Sequence, residues 1–205
     1  MATLLKGIDV SVHQGTITWD KVGKQDIDFA MIRSSYGLHS RDSKFDTNVK
    51  GAQSVGIDVG AYHFSYASSI ADVKAEAKNF LAAIKGYKLT MPVVYDLESN
   101  STTNKVVSQW TDMAITFLDI MEQNGYFAML YGSKYSLEQQ MTPSKLKPYA
   151  IWVAQWASKN TCTVPWGMWQ YTDSGKVAGI STLVDMDVTI NDYAAIIKKA
   201  KLNNL

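Results

Sequence analysis

Short apolar runs of strand length alternate with helix-period segments five times along this chain, and then the helices stop. The runs at residues 5–12, 29–33, 59–64, 91–98 and 127–131 are short and apolar, bounded by turn residues, as buried strands are. Between them lie a short helix at 19–25, a helix near 47–55, two longer helices and a weaker helical stretch at 134–141. Ser69, followed three residues later by Asp72, predicts a helix start. Val73, Ala77, Phe80, Leu81 and Ile84 then form one apolar face, which Gly86 ends. Val106, Trp110, Met113, Phe117 and Met121 form a second face, which Asn124-Gly125 ends. Strands at 151–156, 168–171 and 184–188 follow without helices between them, linked by turns carrying Pro165, Gly167, Gly175 and Gly179. A helix at 192–199 closes the chain. Strands joined through helices pair in parallel. Five βα units followed by three strands therefore predict an α/β, parallel-rich barrel.

The chain has 205 residues, of which 46% are hydrophobic, enough for one substantial core. Neither a Gly/Ser/Pro-rich linker nor a repeat interrupts it, so residues 1–205 are expected to be a single domain with an ordered barrel at about 4–200. Net charge is +1, from 20 basic and 19 acidic residues without a basic tract, which does not imply nucleic acid as a partner. The single cysteine, Cys162, rules out an intrachain disulfide and reads as a small loop hydrophobe. His13 and His39 look like loop residues, and the role of His63 stays open. With no second His or Cys at ligand spacing, no metal and no cofactor are expected. The start, Met1-Ala2-Thr3-Leu4-Leu5-Lys6-Gly7, lacks a basic segment followed by an apolar one. No apolar run reaches the length of a membrane span, so neither a signal peptide nor membrane insertion is expected.

The chemistry concentrates in Met91-Pro92-Val93-Val94-Tyr95-Asp96-Leu97-Glu98. Side chains alternate faces along a strand, so Asp96 and Glu98 point the same way. Such a pair is either a solvated strand end or two carboxyls with divergent pKa values, one an acid and the other a base or nucleophile. Barrels of this kind carry their sites at the carboxyl ends of the strands. Asp9, Tyr62, His63, Tyr131, Trp152, Gln155, Trp156, Gln170, Asp185 and Asp187 fall near those ends. Acids, aromatics and amides without a basic cluster suit a neutral polyhydroxylated substrate.

Gly7-Ile8-Asp9-Val10-Ser11 with His13-Gln14-Gly15, then Gly60-Ala61-Tyr62-His63-Phe64, Val94-Tyr95-Asp96-Leu97-Glu98, Ile151-Trp152-Val153-Ala154-Gln155, and Trp169-Gln170-Tyr171 with Val184-Asp185 resemble glycoside hydrolase family 25, the Chalaropsis-type lysozymes. The resemblance covers nearly the whole chain in order. It implies a single flattened TIM-like barrel, (β/α)5(β)3. It also implies N-acetylmuramidase activity on the β-1,4 bond from N-acetylmuramic acid to N-acetylglucosamine in bacterial peptidoglycan glycan strands. Carried over, Glu98 would be the general acid. Asp96 would assist at the anomeric centre or orient the 2-acetamido group, which can itself act as nucleophile. Asp9 and Asp185 would be supporting acids. Tyr62, Tyr131, Trp152, Gln155 and Gln170 would touch the sugar, while Trp156, Trp169 and Tyr171 would be sugar contacts or core alike.

Two positions depart from the family pattern. Asp185-Met186-Asp187 stands where Asp-Leu-Asn is usual, and Asp187 reads as structural, either altering its neighbours' pKa values or pointing to solvent. Arg33-Ser34-Ser35-Tyr36-Gly37 replaces a more acidic loop. No cell-wall-binding domain is seen in this chain, and a monomer is expected. Family habit makes it either an endolysin released from the host cytoplasm or an enzyme without its export signal, in both cases acting on the extracellular wall. The competing reading is a catalytically inactive carbohydrate-binding barrel.

Overall fold

The computed structural model describes residues 4–98 and 107–205. Nine strands form one sheet: β1 (Leu5–Val10), β2 (Phe29–Tyr36), β3 (Ser40–Arg41), β4 (Asp58–Phe64), β5 (Val93–Asp96), β6 (Ala128–Ser133), β7 (Ala150–Ala154), β8 (Met168–Gly175) and β9 (Val184–Thr189). The sheet order is β1-β9-β8-β7-β6-β5-β4-β2-β3, and β1 also pairs with β2. Eight strands therefore close a barrel, with β3 folded back on the end of β2. The helices are α1 (Trp19–Val22), α2 (Phe45–Ser54), α3 (Ile70–Ile84), α4 (Val107–Gln123), α5 (Pro143–Leu146) and α6 (Tyr193–Ala200).

The expected order of elements holds, with informative differences. The first strand ends at Val10, because Ser11 caps a 3-10 turn at Val12–Gln14 and its own N–H donates to Gln14 Oε1 at 2.8 Å. The stretch expected as a helix at 134–141 is one π-helical turn, Ser136–Gln140, followed by α5. Ser69 caps α3 by accepting from the Asp72 N–H at 3.1 Å. Trp110, Met113, Phe117 and Met121 are buried as the α4 pattern requires. Val106 and the first three residues lie outside the described residues.

The last barrel strand differs from expectation in direction. Pairs from β1 through β8 around the barrel wall are parallel, but β9 is antiparallel to both β8 and β1. Its amino end, not its carboxyl end, therefore lies at the rim where the other strands finish. Without a crossover helix between β8 and β9, the chain returns directly.

Alternation divides the strand residues between two cores. Val93 and Tyr95 face outward with Ile8, Ile32 and Val153 under α2, α3 and α4. There Tyr95 stacks on Phe117 with centroids 4.0 Å apart. Val94 faces inward with Phe29, Met31, Tyr62, Met91, Met129, Tyr131, Trp152 and Met168. Flexible methionines fill this irregular interior. A Cβ on Gly7 would stand 2.3 Å from the Phe29 ring, so that position must be glycine for the ring to fit.

The floor of the barrel is closed by the C-terminal segment. Tyr193 and Ile197 of α6 are buried in the interior cluster, and Leu202 and Leu205 pack against it. Asn203 is fully buried with φ at 57°. Its Oδ1 accepts from the Phe127 N–H at 2.8 Å, and its Nδ2 donates to the carbonyls of Leu89 and Met91 at 3.1 and 2.9 Å. Asn203→Ala would strand these backbone groups. The expected loss is about 3 kcal/mol, read as a fall of roughly 6–12 °C in the thermal midpoint of a chain this size. An unchanged midpoint would show that the tail is not what closes the barrel.

Candidate active site

The inward positions at the rim carry the predicted site residues. Period-two alternation puts Asp9 inside with Gly7 on β1, and Asp96 inside with Val94 on β5. Asp185 reaches the same rim from the amino end of β9, where it pairs directly with Asp9. A cavity of about 500 Å³ opens there, lined by Asp9, Ser11, His13, Gln14, Arg33, Tyr62, Phe64, Tyr66, Asp96, Glu98, Tyr131, Trp152, Trp156, Gln170, Asp173 and Asp185. All four predicted acids meet in it, as do Tyr62, Tyr131, Trp152 and Gln170. Among the described residues, no group of three His, Cys, Asp or Glu side chains is placed to hold a metal ion.

Gln155 is not brought into the cavity. The strand has ended at Ala154, and the Gln155 amide is tied to Thr161, donating to its Oγ1 and accepting from its N–H, each at 2.9 Å. The neighbouring Trp156 lines the cavity instead and is 60% exposed. Its position is set by a hydrogen bond from Nε1 to Gln170 Oε1 at 3.0 Å. Trp169 packs partly buried against the outer core and donates to the Gln155 carbonyl at 2.8 Å.

Gln170 is the hub of the site. Its Oε1 also accepts from the Tyr131 hydroxyl at 3.0 Å, and its Nε2 donates to Asp9 Oδ2 at 2.8 Å. Tyr131 and Tyr62 meet the Trp152 ring edge-on, with centroids 4.7 and 6.4 Å away. Burial, then nearby carboxylates, holds the phenols of Tyr62 and Tyr131 well above their usual range. They therefore stay protonated and able to donate.

The carboxyls are displaced upward together. Burial raises Asp9 well above the ordinary range, and the charges of Asp185 and Glu98 add to it, against hydrogen bonds from Gln170 and Asp187. Burial also raises Asp96 well above that range, followed by repulsion from Glu98 and Asp9, while Arg33 opposes. Glu98 is raised by burial and held back by its hydrogen bond with Asp96. Asp185 is pushed up to about 6 by burial, then by Asp173 and Glu98. Asp96 and Glu98 thus behave as one titrating pair.

Arg33, Tyr66 and Asp173 line the cavity although the acid-and-aromatic pattern did not single them out. Asp42 fixes Arg33 through Nε at 2.9 Å and also accepts from the Val12 and Lys44 N–H groups. Its guanidinium lies 5.2 Å over the Tyr36 ring. His63, by contrast, is fully buried on the outer side of the barrel. Its Nδ1 is 2.8 Å from Ser35 Oγ, and Nε2 is 3.5 Å from Glu76 Oε2. The same Glu76 accepts from Ser65 Oγ and from the Tyr66 N–H, each at 2.7 Å. This network therefore holds the turn that carries Tyr66 to the cavity.

Residues 8–180 match the model of glycosyl hydrolases family 25. The chain is 28% identical to the autolytic lysozyme of Clostridium acetobutylicum over 89% of its own length, and it spans 55% of that protein. It is 29% identical to lysozyme M1 of Streptomyces globisporus, over 88% of this chain and 66% of that one. The bacterial lysozyme structure from Streptomyces coelicolor superposes with a TM-score of 0.80 at 26% identity, covering 100% of this chain and 99% of that one.

Proposed function

The chain belongs to glycosyl hydrolases family 25, and on that premise we propose that it is a lysozyme. It cleaves the β-1,4 bond from N-acetylmuramic acid to N-acetylglucosamine in bacterial peptidoglycan. The observation that carries this reading is the convergence of Asp9, Asp96, Glu98 and Asp185 on one cavity together with Trp156, Tyr62 and Tyr131. Its relatives include an autolytic lysozyme, which supports the bacterial cell wall as the place of action.

In this reading Glu98 protonates the leaving oxygen. That task needs an acid still protonated near the working pH, and burial displaces Glu98 in that direction. Asp96 and Glu98 are in hydrogen-bond contact. Flanking acid–nucleophile pairs stand about 5–5.5 Å apart in retaining enzymes and about 6.5–9.5 Å in inverting ones. A pair in contact leaves no room for an anomeric carbon between its members. The arrangement favours attack by the substrate's own 2-acetamido oxygen, with Asp96 orienting that group. Asp9 and Asp185, across the cavity, stabilise the positive charge developing on the sugar. Tyr131 and Gln170 fix the floor, and Trp156 offers an exposed ring face for a pyranose.

Digestion of purified peptidoglycan tests the reading, with borohydride reduction and mass spectrometry of the fragments. Reduced muramic acid ends are expected. Reduced glucosamine ends would make the protein a glucosaminidase, and binding without cleavage would make it a binding module. Trp156→Ala is expected to lower kcat/KM about tenfold, the scale of one lost ring contact. The loss should fall mainly in KM, because the ring binds ground and transition states alike. Unchanged steady-state kinetics would remove Trp156 from the substrate path.

A further inference from the structure

Asp187 takes no part in the steps above, yet its surroundings are unusual for a carboxyl group. It lies two residues further from the rim than Asp185 on β9, pairing with Gly7 of β1 on one side and Gln170 of β8 on the other. Asp187 is fully buried. Its Oδ1 accepts from Trp152 Nε1 at 2.9 Å. Its Oδ2 has no hydrogen-bond partner, and its neighbour along the same inward face, diagonal to it across the β1–β9 ladder, is a second carboxyl, Asp9. None of the ion pairs among the described residues reaches either group.

Two neighbouring carboxyls this deeply buried strongly disfavour being ionised together. A proton between them converts repulsion into a short charge-assisted hydrogen bond. The deeper partner is the better place for it. Asp9 already accepts from Gln170 and borders the cavity, so its charge is the better solvated. We propose that Asp187 is a positioning residue for Asp9. It stands beneath the cavity floor as a neutral acid, accepting from Trp152 and donating to Asp9. The single negative charge of the pair is thereby held on the Asp9 oxygens, beside the substrate.

This deepens the lysozyme reading and rests on Asp9 belonging to that site. The titratable groups facing Asp187 are Asp9 and Asp185, with Tyr171 on its flank. Directions of displacement agree with the geometry: burial first and Asp9 second push Asp187 well above the ordinary range, and the bond to Asp187 pulls Asp9 down.

Asp187→Asn keeps a donor toward Asp9 and an acceptor toward Trp152, whereas Asp187→Leu removes both. In peptidoglycan digestion, the Asn variant is expected to match wild type in kcat, KM and pH profile. The Leu variant is expected to lose about 10- to 100-fold in kcat with KM little changed, the effect of losing one hydrogen bond to a charged group. An Asn variant as impaired as the Leu variant would overturn the proposal, since the charge of Asp187 would then be what matters. So would a Leu variant as active as wild type. Infrared difference spectra of wild type minus Asp187→Asn decide the protonation state independently of turnover and of whether the Leu variant folds. A lost carboxylic-acid C=O band is expected at neutral pH, and a lost carboxylate band would refute it. Were wild type inactive on peptidoglycan, the lysozyme reading would fail while the spectrum still reported on Asp187.

Discussion

Glu98→Gln is expected to lower kcat by about 10²–10⁴-fold, the usual contribution of a general acid, with little change in KM. The amide fills the same space and still hydrogen-bonds, but it has no proton to give. Peptidoglycan binding should survive, because Trp156, Tyr131 and Gln170 are untouched. A loss confined to kcat identifies an interaction made in the transition state rather than in the ground state. The variant should also change its neighbour. Repulsion and a hydrogen bond from Glu98 both help hold Asp96 above the carboxylate range. With a neutral amide there, Asp96 falls back toward that range, and the acidic limb of any residual activity moves to lower pH. Turnover within a few-fold of wild type would remove Glu98 from the acid role and transfer attention to Asp185, another acid of this cavity held above the ordinary range.

Much of this site was legible because strand alternation is a strict rule. Two residues of spacing place Asp96 beside Val94 inside the barrel and send Tyr95 outward against Phe117. The rule fails where the strand ends. β7 stops at Ala154, so Gln155 turns to Thr161 and Trp156 takes the cavity. Asp185 reaches the cavity, but by another route than the one expected. Its strand runs backwards, and ladder direction depends on a connection whose residues carry no periodicity. Asp187 was within reach of the sequence: it stands two residues from Asp185, so the alternation that joins Asp96 to Glu98 also turns Asp187 inward. The tail that seats Asn203 against Leu89, Met91 and Phe127 was not legible. These contacts join residues far apart in sequence, and no local pattern announces them.

The same buried acids should make the fold more stable at pH 5 than at pH 7. The sign follows from proton counting. An unfolded Asp titrates near 3.8, whereas Asp9, Asp96 and Asp187 titrate well above it in the fold, chiefly through burial, and Asp185 near 6. Between the unfolded and folded values the native state binds more protons, so stability falls as pH rises through that window. Below the window the contribution is fully present. One extra proton in the folded state is worth about 1.4 kcal/mol per pH unit. A proton kept by the Asp9–Asp187 pair across the whole of this range is worth at most about 3 kcal/mol, up to roughly 6–12 °C in thermal midpoint for a chain of this length. Groups displaced downward, such as Glu138 at about 2, are ionised in the fold and largely ionised when unfolded across this range, so they oppose the trend only slightly. Asp187→Asn should raise the midpoint at pH 7 and flatten its pH dependence by one proton, because the amide needs no proton to be buried. Calorimetric scans of both proteins at the two pH values measure this directly. A wild-type midpoint that falls on acidification, or an Asn variant with the same slope, would mean that the buried carboxyls fold ionised. A site that needs raised acids for chemistry therefore sets the pH at which its own barrel is most secure.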